Sequence, residues 1–321
     1  MQRAFHARRH LFTPPHRHGF RLFNGFTEGS GTYVIDILGR TAIIHDYSID
    51  PSQETHSALI KLLEKTTPFI ACTIFKLRKS DVSGERNGIV KQGERVDTRI
   101  EENGVRFALD ISMNRDASFY LDTRNLRRWA TESLCGKSVL NTFAYTGSIG
   151  VAAMAAGASV VQTDLNRTFL NLAKQSCAMN GFPVVKRDFI CGDFFVIARQ
   201  LKRQQRKFDC VILDPPFFST TSRGTVDLER HMIRLINKAR PLVKNGGQIV
   251  AVNNAVFLSG QKFMDSLDVL CSDGHVSINS RIDIPEDCIG YPDTISAPQL
   301  IDPAPFNHST KIAVLNIRHR D

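Results

Sequence analysis

Apolar positions recur along this chain with two periods, and the places where the period changes divide it. RLFNGFTEGSGTYVIDILGRTAII, from Arg21, carries a Gly-rich turn, a β-branched run at Thr32–Leu38 and a second at Thr41–Ile44, the pattern of a β-hairpin. Ala58, Leu59, Leu62 and Leu63 fall at helical spacing within 54–66. PFIACTIFKLRK then reads as a strand, and the polar, charged stretch 79–98 as a connection. GVRFALDI alternates as a strand. SFYLDTRNLRRWATESL predicts a helix after Asp122 that packs Leu126, Trp129 and Ala130 and exposes Arg124, Arg127 and Arg128.

From Lys137 strand and helix alternate regularly. KSVLNTFA, SVVQTDL and RDFICGD are strands, separated by a small-residue helix, IGVAAMAAG, and by a helix over Thr168–Asn180 that Gly181 closes. FFVIARQLKRQQRK predicts an amphipathic helix ending in basic residues, as a helix C-terminus prefers. FDCVILDPP is almost wholly apolar up to its acid, which predicts a central strand buried on both faces. VDLERHMIRLINKARPLVK predicts a helix stopped by Asn-Gly-Gly, QIVAVNN a fifth strand, and HVSINSRID and STKIAVLNIR two closing strands. The class is therefore α/β, a doubly wound, mostly parallel sheet of seven strands preceded by a small α+β domain. The expected divisions are a basic N-terminal arm at 1–20, a β-rich domain at 21–98 able to touch RNA, and the larger domain at 99–321.

Composition narrows the setting. Of 321 residues, 42% are hydrophobic and 23% charged, the range of a globular protein long enough for two domains. No apolar run approaches the ~18 residues that would span a bilayer, and the N-terminus lacks the apolar core of a secretory signal, so the expectation is a cytoplasmic protein without a membrane partner. The seven cysteines form no Cys-x-x-Cys pair, which suits reduced thiols rather than a disulfide framework or a zinc site. The four His among the first 21 residues are interleaved with five Arg, which disfavours a cation, so no metal is expected. Net charge is +9, suited to a polyanionic partner such as nucleic acid.

The candidate chemistry begins at VLNTFAYTGSIG. A strand, a tight turn and a helix, followed by a strand ending in a carboxylate, make a nucleotide-binding half of a doubly wound sheet. The turn lacks the G-x-G-x-x-G pattern that a pyrophosphate needs, which argues against a dinucleotide and an oxidoreductase. A cofactor without phosphate needs less, and S-adenosylmethionine is one. Asn141, Phe143, Ala144, Tyr145, Thr146 and Gly147 would face its amino-acid part. Asp164, with Leu165 and Asn166 behind it, would hold the ribose. Asp193 would accept from the adenine amino group with Phe194 beside the ring, and Asp193 is also a natural N-cap for the helix that follows. Asp214-Pro215-Pro216-Phe217 ends the central strand. Its prolines stiffen the backbone and remove two N–H donors. Asp214 could then orient a base, and the aromatic could stack on one, unless the two phenylalanines are simply core.

Taken together, VLNTFAYTGSIG, TDLN, CGDFF and LDPPFF resemble class I S-adenosylmethionine-dependent methyltransferases, and the antiparallel closing pair of strands suits that variant of the fold. SFYLDTRNLRRW and RLFNGFTEG…YVIDILGRTAII are similar to segments of the bacterial large-subunit ribosomal RNA methyltransferases that act on carbon-5 of cytosine or nitrogen-7 of guanine. The resemblance runs from about Arg21 to Arg318. It implies that Tyr120, Asp122 and Arg124 lie near the cofactor. With only 20 residues ahead of Arg21, the PUA domain that larger members carry is not expected. The cytosine-type members have a cysteine after strand five, whereas this chain has Asn253 and Asn254 there, closer to the nitrogen-methylating relatives. Cys191 is the nearest thiol and is expected in the core. The expected roles are thus Asp214 and Asn253 as base-orienting groups, Phe217 as a stacking platform and RNA as substrate, with a homodimer left open. The competing readings are a protein or small-molecule methyltransferase on this fold and an RNA-binding protein without turnover.

Overall fold

The structure, a computed structural model, describes residues 1–221 and 224–319. It divides into two compact units: Met1–Asp122 with Pro285–Pro298, and Thr123–Ile284 with the chain from Gln299 onward. The expected boundary at 98/99 is replaced by one at 122/123, because the hairpin Arg99–Glu102 and Val105–Ala108 sits in the first unit.

The first unit is built on a five-stranded sheet running in chain order: Gly19–Asn24, Tyr33–Leu38, Thr41–Asp46, Cys72–Leu77 and Ile89–Gln92. The hairpin expected at 32–44 forms with Asp36 opposite Ile43. The helix Gln53–Thr66, capped by Ser52, carries the chain to the parallel fourth strand and buries Leu59 and Leu63. The stretch 79–98 is more than a connection, since Ile89–Gln92 pairs with the fourth strand and closes that edge.

The first 20 residues are not a free arm. Gln2–Ala7 is helical and buries Ala4 and Phe5. Arg8 is fully buried, donating to Glu28 at 2.8 Å, to the Asp287 carbonyl at 2.8 Å and to the Arg21 carbonyl at 2.7 Å. A charge count along the chain cannot see these acceptors, because two of them lie 20 and 279 residues away. The segment 285–298 is what returns here: Asp287 is buried and accepts from the Arg21 N–H at 2.8 Å.

The second unit holds the seven-stranded sheet. In chain order its strands are Ser138–Thr142, Ser159–Asp164, Phe189–Cys191, Phe208–Leu213, Val243–Asn253, Val276–Arg281 and Lys311–Ile317. Their spatial order is third, second, first, fourth, fifth, seventh, sixth. The first five run parallel, and the last two close the sheet antiparallel, as expected. The fourth strand is central, and Cys210–Leu213 are wholly buried. Helices Ser148–Ala155, Arg167–Met179, Phe194–Arg203 and Leu228–Ala239 connect the parallel strands.

Two local expectations change. The helix from Leu228 ends at Ala239, followed by a 3₁₀ turn at Arg240–Leu242, because Pro241 cannot continue it. Asn245-Gly246-Gly247 lies inside the fifth strand, which bulges where Phe208 faces Val243 and Cys210 faces Gln248. Arg127, expected on the exposed face of helix Arg124–Ser133, is buried and donates to Thr123 Oγ1 at 2.7 Å.

Candidate active site

The sequence-predicted residues of the second unit gather at the C-terminal ends of its parallel strands, where open α/β sheets bind ligands. The turn after the first strand is unusual in its backbone. Phe143, Tyr145 and Gly147 have φ of 52°, 51° and 76°, so two side-chain-bearing residues stand in the left-handed region. Hydrogen bonds hold them there: the Ala144 N–H donates to the Thr163 carbonyl at 2.9 Å and the Tyr145 N–H to Asp164 Oδ2 at 2.8 Å. The Phe143 ring packs on Phe194, centroids 4.8 Å apart, and the Tyr145 ring meets Phe169 edge-on at 4.6 Å. Thr146 is buried.

Gly147 admits nothing larger. A Cβ there would stand 2.4 Å from the Ala173 Cβ and 2.5 Å from Gln162 Oε1. Gln162 was not among the expected residues. It lies fully buried in the second strand, beneath both glycines of the turn, and accepts from Asn141 Nδ2 at 3.3 Å. Its Nε2 and the Asn141 Oδ1 have no partner among the described residues. The available signal was an amide directly after the two valines of the strand SVVQTD.

Asp164 ends the second strand. Its Oδ1 accepts from the Asn166 N–H at 2.8 Å, and burial pushes its carboxyl up against the lowering effect of the Asn166, Tyr145 and Leu165 backbone. Leu165 is exposed, and Asn166 caps the next helix by accepting from the Thr168 N–H. Asp193, two residues past the third strand, accepts from the Phe195 and Val196 N–H groups at 2.9 and 3.3 Å, so the N-cap role is present. Phe194 is buried. Cys191 is exposed rather than core, with its Sγ 3.4 Å from the Leu165 carbonyl.

At the end of the central strand, Pro215 is buried while Phe217 and Phe218 are 42% and 60% exposed. That removes the core-phenylalanine reading of the motif. Asn253 departs from its expected role. It is wholly buried, its Nδ2 donates to the Leu228 carbonyl at 3.1 Å and its Oδ1 accepts from the Ala255 N–H at 3.0 Å, so neither end is left for a base. Its neighbour Asn254 instead has a buried Oδ1 without a partner among the described residues. The remaining predicted residues divide between the units. Tyr120, whose hydroxyl donates to Asp116 at 2.8 Å, and Asp122 belong to the first, and Arg124 opens a helix of the second.

These residues fit a phosphate-free nucleoside cofactor better than a dinucleotide. The Tyr145 N–H, which a pyrophosphate would need, is already taken by a carboxylate whose charge would repel it. No cysteine stands at the end of the fifth strand. Burial pushes the Cys177 and Cys210 thiols up to about 11 and about 12, and Cys72 and Cys271 also upward, opposite to what a nucleophile needs.

Comparison with known proteins agrees. The model of a family described as S-adenosylmethionine-dependent methyltransferase matches residues 47–285. The ribosomal RNA large subunit methyltransferase I of Photobacterium profundum is 30% identical over 233 residues, covering 68% of this chain and 58% of the relative. The ribosomal RNA large subunit methyltransferase K/L of Colwellia psychrerythraea is 32% identical over 249 residues, covering 73% and 34%. The chain thus spans less than two thirds of the length of these relatives. Among solved structures, a protein described as a candidate methyltransferase and complexed with S-adenosylhomocysteine superposes with a TM-score of 0.84 at 20% identity, over 98% of this chain and 80% of its own.

Proposed function

This chain belongs to the S-adenosylmethionine-dependent methyltransferase family, and from that premise we propose that it methylates a base nitrogen in ribosomal or other structured RNA. The observation that carries the reading is the exposed aromatic pair, Phe217 and Phe218, directly after Asp214-Pro215-Pro216 at the end of the central strand. An exposed ring beside a rigid, acceptor-bearing turn suits an unstacked base. The net charge of +9 and the ribosomal RNA substrates named for the relatives support the same class of substrate.

The bound cofactor supplies an activated methyl group. The left-handed turn at Phe143–Gly147 and the carboxylates of Asp164 and Asp193 bind and orient it. Asp214 accepts from a base N–H, turns the target nitrogen inward, and takes up the proton when an amino group is the acceptor. Phe217 stacks on the base. Asn254, just past the fifth strand and with an Oδ1 that has no partner among the described residues, replaces Asn253 as the amide for the substrate. Carbon-5 of cytosine would need a thiolate to add to the ring, whereas a nitrogen lone pair needs no covalent adduct with the protein. The absence of a cysteine after the fifth strand therefore favours nitrogen.

The test is transfer of tritiated methyl to RNA, followed by mass spectrometry of the nucleosides. The expected product is an N-methylated base. Label confined to 5-methylcytosine, or absent from RNA, overturns the reading. Phe217→Ala should weaken RNA binding by about 5- to 150-fold, the equivalent of ~1–3 kcal/mol of base stacking, with affinity for S-adenosylhomocysteine unchanged.

A further inference from the structure

The large sheet has a second edge that carries no part of the site just described. Between the helix Phe194–Arg203 and the fourth strand, the run LKRQQRK places four cations within seven residues. Lys202, Arg206 and Lys207, with Gln205, Pro241 and His319, line a hollow of about 600 Å³.

Topology sets where the hollow lies. Lys207 immediately precedes the fourth strand, Pro241 comes two residues before the fifth, and His319 two residues after the antiparallel seventh. The hollow is therefore at the N-terminal edge of the central parallel strands. Asp214 and Asn254 stand at the other ends of those strands, a six-residue strand of roughly 20 Å away.

The charges of the hollow are not spent on carboxylates. Among the described residues, Lys202, Arg206 and Lys207 have no ion-pair partner, while the acids of this edge are engaged elsewhere: Asp209 with Lys244 at 2.8 Å and Asp273 with Arg240 at 3.5 Å. Lys202 belongs to the last helical turn, where a cation complements the free carbonyls. Arg206 and Lys207 lie past the helix cap Gln204, so that role does not account for them. Arg206 is held over the Phe208 ring, 5.4 Å from its centroid, and His319 is anchored by the Val243 carbonyl at 2.7 Å. Like charges gathered round a concavity repel one another, and an anion relieves that repulsion. The lining offers cations, an amide and an imidazole tied to the Val243 carbonyl, without a carboxylate, which suits a sugar-phosphate backbone.

We propose that this hollow is a second RNA contact, holding backbone phosphates of the structured RNA whose target base is presented to the opposite edge of the sheet. The inference rests on RNA being the substrate. The experiment compares the wild type with K202Q/R206Q/K207Q, and with K202E/K207E, in which the stacked Arg206 stays in place. Binding to a large-subunit ribosomal RNA fragment is measured across a salt series, alongside affinity for S-adenosylhomocysteine and for tripolyphosphate. The expected result is unchanged cofactor affinity, RNA affinity reduced tenfold or more, and a log–log salt slope shallower by about 2 to 3 for the triple variant. If the wild type methylates RNA while both variants keep its affinity and slope, the hollow is not an RNA contact and the substrate reading stands. If the wild type neither binds nor methylates RNA, the substrate reading fails and the hollow's role with it. Loss of tripolyphosphate binding with RNA affinity intact identifies a small-anion site and overturns the proposal.

Discussion

At the scale of single residues, Gly147 concentrates the constraints on the cofactor turn. It needs a positive φ, and its missing Cβ leaves room for Ala173 and Gln162. Gly147→Ala should cost about 2–5 kcal/mol, the sum of the left-handed penalty and overpacking. It should also weaken S-adenosylhomocysteine binding, as checked by urea denaturation and calorimetry. Gly147 was legible in the sequence because glycine has a known use in strand-to-helix turns. Phe143 and Tyr145 were legible only as neighbours, since nothing in a phenylalanine or tyrosine announces a left-handed backbone. Gln162 was missed because its work is done through space, from one strand over. Asn253 and Asn254 show the same limit: side chains alternate along a strand, so which of two adjacent asparagines is tied to Leu228 and Ala255 depends on what packs around the strand end.

At the scale of elements, Asp209 links three strands at the edge opposite the site. Its carboxylate accepts from the Ser138 N–H and hydroxyl, at 2.8 and 2.6 Å, and from Lys244 at 2.8 Å. Burial acts to raise its carboxyl, but the Lys244 and Ser138 hydrogen bonds outweigh it and hold the carboxyl down at about 2, against an ordinary 3.8. A depressed folded-state value stabilises the native state above the ordinary one, and the contribution drains away as pH falls toward 2. Asp209→Asn should therefore be less stable than the wild type at neutral pH, and the difference should shrink between about pH 4 and pH 2, as read from urea midpoints across that range. The strands and helices themselves were legible from period and from the N-cap Asp193, whereas the capping role of Asn166 was not. Asn245-Gly246-Gly247 was misread as a helix stop, because a bulge and a stop use the same turn-forming residues and only pairing with the fourth strand tells them apart.

At the scale of the whole molecule, the first unit is discontinuous in sequence. Residues 285–298 supply acceptors that the N-terminal segment needs: the Asp287 carboxylate and carbonyl take the Arg21 N–H and the Arg8 guanidinium, and the Cys288 carbonyl takes the Asn24 amide. Asp287→Ala should destabilise the protein by about 1–3 kcal/mol, the cost of leaving a buried donor unpaired. It should also speed limited proteolysis within the first 30 residues, although the substitution lies more than 250 positions away. The sequence by itself determined the α/β class, the seven strands with their antiparallel closing pair, the turn after the first strand, and the acids at 164, 193 and 214. Each of these is written in local periodicity and residue type. Only the tertiary structure decided that the basic N-terminus begins in a helix and buries Arg8, that 285–298 belongs to the first unit, that Phe217 and Phe218 are exposed, and that cations without an ion-pair partner among the described residues gather at the far edge of the sheet. Burial and pairing depend on which residues meet in space, and the partners here stand tens to hundreds of positions apart.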